Sequence, residues 1–401
     1  MSSVYIVGAK RSAIGSFLGS LKDTNAAELG STVIKSVLEE SQVKPDIIDE
    51  VIIGNVLSSG QKQGLARQAS IYAGVPIEVP AYAINMVCGS GMKAIMNAYT
   101  QIKAGQGNAY VTGGVKVMSQ APFLVSGKVR QGNKMGDLSM TDSILNDALL
   151  DSFDGNHMGI TAENIAEKYQ ISREEQDAFA FASQQKVIKA VDEGAFAAEI
   201  TPIELKTRKG PVTFAIDEYP NRRTNLEKLA NLRPAFLKEG SVTAGNASGL
   251  NDGASATVVV SQEIVEQENL TPLVEIVAIG QGGVNPEVMG LGPTPAIKNA
   301  LKQANLTLAD MDILELNEAF AAQSLGVVHE LSEIYDLSKD EILAKTNLNG
   351  GAIAIGHPLG ASGNRIVVTL IHLMKKHNYQ YGLASLCIGG GMGVAVILKN
   401  V

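Results

Sequence analysis

Sulfur is scarce in this chain: 401 residues hold two cysteines, about 300 positions apart. There is no CxxC pair and no clustered set, so a disulfide framework is excluded and free thiols in a reducing compartment are expected. Histidine is nearly as sparse, with five residues and none close to a cysteine. Zinc-ligand spacing is therefore missing, and no metal is expected. Basic charge is in deficit as well, 33 lysines and arginines against 41 acidic residues, for a net charge of −8. A basic face is the usual footprint of nucleic-acid binding, so no nucleic acid is expected as partner. Local basic clusters can still hold an anionic ligand. No charged-then-apolar leader opens the chain, and no apolar run approaches the roughly 18 residues of a membrane span. Neither secretion nor contact with a membrane is expected, and the cytoplasm is the default.

What is present is apolar and regular. Hydrophobic residues make up 45% of the chain, ample core for two or three domains. Residues 4–7 read as a β-branched strand, 26–38 as a helix with apolar spacing and 51–56 as a second strand. Such alternation predicts α/β architecture with largely parallel pairing. Residues 92–102 carry one charge, Lys93, which predicts a helix buried all round. From about residue 119 to 244 the texture changes to charge clusters, glycines and short amphipathic helices over 162–169 and 173–190. Ser172 and Glu175 form a capping box before the second of these. A long insertion of this kind is usually a lid or binding region. Beyond it the first plan recurs. Ala361-Ser362-Gly363 parallels Gly89-Ser90-Gly91, an apolar helix follows, then a strand and Gly389-Gly390-Gly391. This implies an internal duplication, in which two buried helices pack between two sheets to give five layers, αβαβα. The expected division is 1–118 with 245–270 as the N-terminal half, 119–244 as an inserted loop domain and 271–401 as the C-terminal half.

The chain is organised around Asn85-Met86-Val87-Cys88-Gly89-Ser90-Gly91, where the strand over 81–84 breaks into a helix beginning near Gly91. Gly89 and Gly91 are expected to allow the tight turn without a Cβ clash. The Cys88 sulfur then sits at the positive end of the helix dipole, which lowers a thiol from about 8.5 towards neutrality. Alone, the residue also fits a buried packing cysteine. Three more motifs fall at predicted strand ends, where open α/β sheets place ligands. They are Asn317-Glu318-Ala319-Phe320, Gly356-His357-Pro358-Leu359-Gly360 and Cys387-Ile388-Gly389-Gly390-Gly391-Met392-Gly393. Singly, His357 fits a core histidine, Asn317 a helix cap and Cys387 a packing thiol. The glycine run lacks the dinucleotide-binding arrangement. Packing needs alone would not produce the whole set.

With HMGITAEN at 157–164, AGNASGLNDGA at 244–254 and GGAIAIGHPLGASG at 350–363, these motifs make the chain similar to the thiolases from residue 4 to 398. The likeness is to their biosynthetic type, which condenses two acetyl-CoA to acetoacetyl-CoA. Such chemistry needs a nucleophile, a base and donors for two oxyanions. The resemblance implies that Cys88 carries the acetyl group and that His357 takes its proton. Cys387 would deprotonate the second acetyl-CoA, while His357 and a water on Asn317 steady the enolate. Backbone N–H groups of Cys88 and Gly389 would face the acyl carbonyl. Coenzyme A arrives as part of the substrate, with no permanently bound cofactor.

The resemblance also assigns Ser248 to the pantetheine or adenine side. His157 and Met158 fall beside the acyl thioester, with Ala247, Ala319 and Phe320 in the same binding region. Arg222, Arg223, Lys228 and Arg233 offer charge for phosphates. Relatives usually carry an arginine just after Tyr-Pro; here Asn221 precedes Arg222 and Arg223, so which arginine meets the adenine stays open. Lys116-Val117 stands where relatives usually have Glu-Ser, which predicts altered ion pairing with activity retained. Residues 120–136 resemble a loop that pairs dimers into tetramers, and a homotetramer is expected. His157-Met158-Gly159 favours the short-chain subgroup over a degradative 3-ketoacyl-CoA thiolase. The second thiol argues against condensing enzymes that use one cysteine, and the full set argues against a non-catalytic acyl-CoA binder.

Overall fold

The computed structural model describes residues 3–401. In the first half, β1 (Val4–Ser12), α1 (Ala26–Ser41), β2 (Glu50–Gly54), α2 (Leu65–Tyr72), β3 (Ala81–Ile84), α3 (Ser90–Lys103) and β4 (Ala109–Val117) follow one another. The inserted stretch contributes α4 (Met158–Tyr169) and α5 (Arg173–Asp192), and β5 (Asn251–Ser261) completes the half. The second half runs β6 (Val274–Gly283), α6 (Pro293–Ala304), β7 (Ile313–Leu316), α7 (Ala321–Tyr335), α8 (Leu359–His377), β8 (Tyr381–Ile388) and β9 (Met392–Asn400). The capping box is present, with Ser172 accepting from the Glu175 N–H and Glu175 reaching back to Ser172.

The main sheet path is β7-β8-β9-β6-β1-β5-β4-β2-β3. Read outward from the middle, β1-β5-β4-β2 matches β6-β9-β8-β7, which is the duplication in strand order. The two halves of the sheet meet through the short pairs Tyr5–Glu275 and Ile6–Val274. Three apolar cores separate the layers. One lies between α1, α2 and the first half-sheet, around Leu29, Val33 and Val111. A second surrounds α3 and α8, with Met92, Ile95, Ile366 and Leu370. The third lies under α6 and α7, with Ile297, Leu314 and Val328. The expected five layers are therefore present, and α3 and α8 pack on each other at the centre.

Pairing direction departs from expectation. Along this path β2–β4, β2–β3 and β7–β8 are parallel, while β1–β5, β4–β5, β1–β6, β6–β9 and β8–β9 are antiparallel. Off it, Arg11 and Ser12 pair in parallel with Ile200 and Thr201. The connections explain this. β8 and β9 are joined by three glycines, two of them at φ +86° and +85°, and so short a link makes only an antiparallel hairpin. The long insertion likewise lets β5 return against β4. The second half also lacks a counterpart of β3, keeping only an isolated parallel bridge between Leu314 and Thr346.

The insertion is anchored by charge. Arg11 on β1 donates from Nε to Glu199 at 2.5 Å and from both Nη atoms to Asp217 at 2.7 and 2.9 Å, all three residues being buried. Breaking such a buried set is costly because the surviving charges lose their partners.

Candidate active site

Cys88 sits on an elbow between β3 and α3. The backbone turns at Val87, whose φ is +44°, a costly conformation for a β-branched residue. Local bonds hold the turn. Asn85 Oδ1 accepts from the Val87 N–H at 3.0 Å, and Ser90 Oγ donates to the Val87 carbonyl at 2.6 Å and accepts from the Met86 N–H at 2.8 Å. The glycines do other work than expected. Gly89 and Gly91 both have ordinary negative φ, and their value is close approach. A Cβ on Gly89 would run into the Ile388 side chain, and one on Gly91 would lie 2.7 Å from the Asn364 nitrogen. A Cβ on Gly363 would lie 2.6 Å from the Met92 nitrogen. The two central helices thus approach through matching glycines, which brings the loop before α8 to Cys88.

His357 precedes α8. Its N–H donates to Asn251 Oδ1 at 2.9 Å, and its Nδ1 lies 2.6 Å from Ser362 Oγ. Ser362 donates its single hydroxyl proton to the Pro358 carbonyl at 3.0 Å. Both contacts are hydrogen bonds only if Nδ1 carries the proton, which leaves the Nε2 lone pair free. Nε2 is buried without a protein partner. Burial, then the field of Arg365, lowers the imidazole to about 3, so at neutral pH it is uncharged and able to accept a proton.

Cys387 is the next-to-last residue of β8, beside the end of β7, which Asn317 follows; the Asn317 N–H donates to the Ser385 carbonyl at 3.0 Å. Asn317 is not a cap: α7 starts at Ala321, and the amide of Asn317 is buried with neither Oδ1 nor Nδ2 bonded. An unpaired buried amide suits a held water. Cys88, His357, Cys387 and Gly389 line one cavity of about 360 Å³, together with Val87, Met118, Leu149, Met289 and others. Asn317 lies outside that lining, two residues before Ala319 in the wall. The thiols are not activated at rest. Burial pushes Cys88 up to about 11, only partly offset by the N–H groups of Gly389 and of Cys88 itself. Burial raises Cys387 further, with Cys88 adding to it. The expected lowering of Cys88 fails because desolvation outweighs the helix terminus.

His157, Met158, Ala247, Ser248, Ala319 and Phe320 also line this cavity. His157 caps α4, its Nδ1 accepting from the Gly159 N–H at 3.0 Å, and stacks on Phe236 with ring centroids 4.5 Å apart. Tyr219 and Ala244 are shared with a wider outer cavity of about 680 Å³, whose walls include Arg223 and Lys228. Arg222 lines neither cavity. It is paired with both oxygens of Asp192 at 3.0 and 2.6 Å. Lys116 is wholly buried and donates to the Leu57 carbonyl at 3.2 Å, burial lowering it to about 8 against the pull of Asp252. Its hydrogen bond is thus to a carbonyl rather than to a carboxylate. Sequence reasoning passed over Asn251, Ser362, Tyr219 and Phe236. The first two lay inside quoted motifs, but nothing in the sequence tied either to His357.

A duplicated α/β fold with two thiols, an imidazole and backbone donors around one cavity is the arrangement of an acyl-transferring enzyme. Comparison with known proteins agrees. Residues 4–263 match the family described as thiolase, N-terminal domain, and residues 270–400 match thiolase, C-terminal domain. The chain is 51% identical to the acetyl-CoA acetyltransferase of Cupriavidus necator, over 100% of both chains. It is also 51% identical to a probable acetyl-CoA acyltransferase of Staphylococcus epidermidis, over 100% of this chain and 99% of that one. The crystal structure of human mitochondrial 3-ketoacyl-CoA thiolase has a TM-score of 0.94 at 45% identity, over 100% of this chain and 99% of that one. The chain belongs to the thiolase family, and is an acyltransferase.

Proposed function

We propose that the chain is an acetyl-CoA C-acetyltransferase, joining two acetyl-CoA into acetoacetyl-CoA and CoA, and running in reverse as a thiolase. The observation that carries this reading is the shared cavity, where two thiols and the unpaired Nε2 of His357 meet. With Cys88 neutral at rest, its proton moves to Nε2 as sulfur attacks the thioester carbonyl. The oxyanion is held by the N–H groups of Cys88 and Gly389, where losing one donor costs about 10²–10³ in rate. Coenzyme A leaves with the proton from His357, and acetyl-Cys88 remains. For the second acetyl-CoA, Cys387 yields its proton to His357 and the resulting thiolate takes one from the methyl carbon. The enolate oxygen then faces the His357 N–H and a water on Asn317, and its carbon attacks acetyl-Cys88. The bond from the acyl carbon to the Cys88 sulfur breaks, acetoacetyl-CoA is released, and the Cys88 thiolate takes back the proton held by His357.

Ser248, Ala247, His157, Met158, Ala319 and Phe320 serve the pantetheine and acyl ends, and Arg223 with Lys228 the phosphates. The division into 1–118 with 245–270, 119–244 and 271–401 belongs to the same proposal. So does a homotetramer, supported by the open edge of β3 and by exposed Phe123, Met135 and Met140 around the hairpin of Phe123–Val125 with Met140–Asp142. A cytoplasmic setting completes it; among the described residues no helix is long and apolar enough to cross a membrane. Mixing the protein with radiolabelled acetyl-CoA tests the reading. Label is expected on Cys88 and absent in Cys88→Ala; no label on the wild type sinks it. A turnover series from acetoacetyl-CoA to a sixteen-carbon 3-ketoacyl-CoA is expected to fall with length, and a rise identifies a degradative thiolase instead.

A further inference from the structure

Nothing bonded to the side chain of Asn317 fixes where it points. The residue after it is held instead. Glu318 is 2% exposed, and its carboxylate gathers donors from two distant segments. Oε2 accepts from Ser183 Oγ at 2.7 Å and from the Ile353 N–H at 3.4 Å, and Oε1 accepts from Asn347 Nδ2 at 2.9 Å. Asn347 also grips the end of β7, taking the Leu316 N–H at 2.9 Å and giving to the Leu316 carbonyl at 2.8 Å. Ser183 accepts from the Gly351 N–H at 3.0 Å, and a Cβ on Gly351 would strike the Glu318 carboxylate. The peptide carrying Asn317 is thereby fastened to α5 and to the segment 347–353.

That segment also forms a wall of the outer cavity. Ile353 and Gln184 both line it; Gln184 Nε2 reaches the Ile353 carbonyl at 3.5 Å, and its Oε1 accepts from the Asn221 N–H at 3.0 Å. His357 is fixed separately. Its bonds go to Asn251 and Ser362, while those of the Glu318 carboxylate go to Ser183, Asn347 and Ile353. Disturbing Glu318 therefore falls on Asn317 before it falls on His357.

We propose that Glu318 is a positioning residue that aims the Asn317 amide during enolate formation, through its bonds to Ser183, Asn347 and Ile353. This rests on the acetyl-transfer reading above. In the first half-reaction Asn317 has no part, and in the second it holds the water that faces the enolate oxygen. A role in aiming Asn317 must therefore divide the two half-reactions, whereas a role in stability alone lowers both together.

The test compares Glu318→Gln, nearly the same in shape but offering an NH₂ to at least one existing donor, with the wild type. Three rates are measured: transfer of label from acetyl-CoA to Cys88, exchange of acetyl-CoA methyl protons in D₂O, and formation of acetoacetyl-CoA. Labelling of Cys88 is expected to stay within about threefold, while exchange and condensation fall by roughly 10²-fold, as for loss of one oxyanion donor. KM for acetyl-CoA is expected to hold. Equal losses in all three rates, or none, overturn the proposal. If Glu318→Gln does not fold, Ser183→Ala removes one donor only and must show the same split, less deep. Failure of wild-type labelling overturns the acetyl-transfer reading itself, and is told apart because it precedes any variant.

Discussion

The two halves of the molecule invite comparison because they are nearly the same scaffold. Four strands recur in the same order, and α3 and α8 occupy matching places, each approached by the other at a glycine. Yet their chemistry divides. The first half turns from strand to helix at Val87 and sets Cys88 at the start of α3. The second reaches α8 through a loop that carries His357, and places Cys387 near the end of β8. Duplication thus supplies two helix entrances facing one another, and function comes from what differs between them. The missing counterpart of β3 belongs to that difference. Where the first half has an edge strand, the second has the segment 346–357 running over Glu318 to His357.

The sharpest way to break the comparison is to remove the two thiols in turn. Cys387→Ala is expected to lower acetoacetyl-CoA formation by about 10²- to 10⁴-fold, the worth of a general base. Cys88 should still acquire acetyl label in that variant. Loss of labelling in Cys387→Ala would make the thiols one unit rather than two. The pH dependence of Cys88 sharpens this further. Burial holds its resting pKa near 11, and the thiolate fraction grows as pH climbs towards that value. Alkylation of Cys88 by iodoacetamide should therefore keep rising above pH 9. A thiol lowered to neutrality by the helix would instead level off near pH 8.

A smaller effect is expected from Ser362, which lies on α8 where Ser90 lies on α3. Ser90 braces the elbow through the Val87 carbonyl, and Ser362 accepts the His357 Nδ1 proton. Ser362→Ala should lower kcat by about ten- to a hundredfold, as when a partner that orients a reacting imidazole is lost. KM for acetyl-CoA should be unchanged. A rise in KM with kcat intact would place Ser362 in substrate binding.

How much of this was legible follows the range of the forces involved. Local pattern located the strand at 81–84 without error, and started the helices of 26–41 and 173–192 at the right residues. Four motifs carried the site, because each is a contiguous run with its own chemistry. Strand direction was misread, since alternation of elements is silent about whether a long connection returns beside its own strand. The glycines at 89 and 91 were tied to the turn, but the positive φ fell on Val87, a residue no propensity rule would select. The thiol pKa was misjudged for a related reason. The helix terminus is local and visible, whereas desolvation comes from groups far apart in the chain. Glu318 sat in a quoted motif, yet its donors lie up to 135 residues away.

The helix entrances also offer a test of symmetry in stability. Gly91→Ala and Gly363→Ala each push a methyl against the backbone of the opposite helix, at 2.7 and 2.6 Å. Overpacking of this kind costs about 1–3 kcal/mol. Denaturant unfolding should show both variants weakened by similar amounts. If one is tolerated, the helices separate more easily on that side, and the halves are mechanically unequal as well as chemically so.

The smallest difference lies between neighbours, Arg222 and Arg223. Both are exposed, but Arg222 is already occupied by Asp192 while Arg223 lines the outer cavity with Lys228. Exposed ion pairs contribute little, so Arg222→Ala should leave both KM and kcat for acetyl-CoA unaltered. Arg223→Ala should raise KM by about threefold, with kcat unchanged. That rise should shrink in high salt, because screened phosphates gain less from any cation. It should vanish with acetyl-N-acetylcysteamine, a thioester with no phosphate for an arginine to meet. A KM effect from Arg222→Ala instead would mean that Asp192 releases its arginine when the nucleotide arrives, and Asp192→Asn would then lower KM.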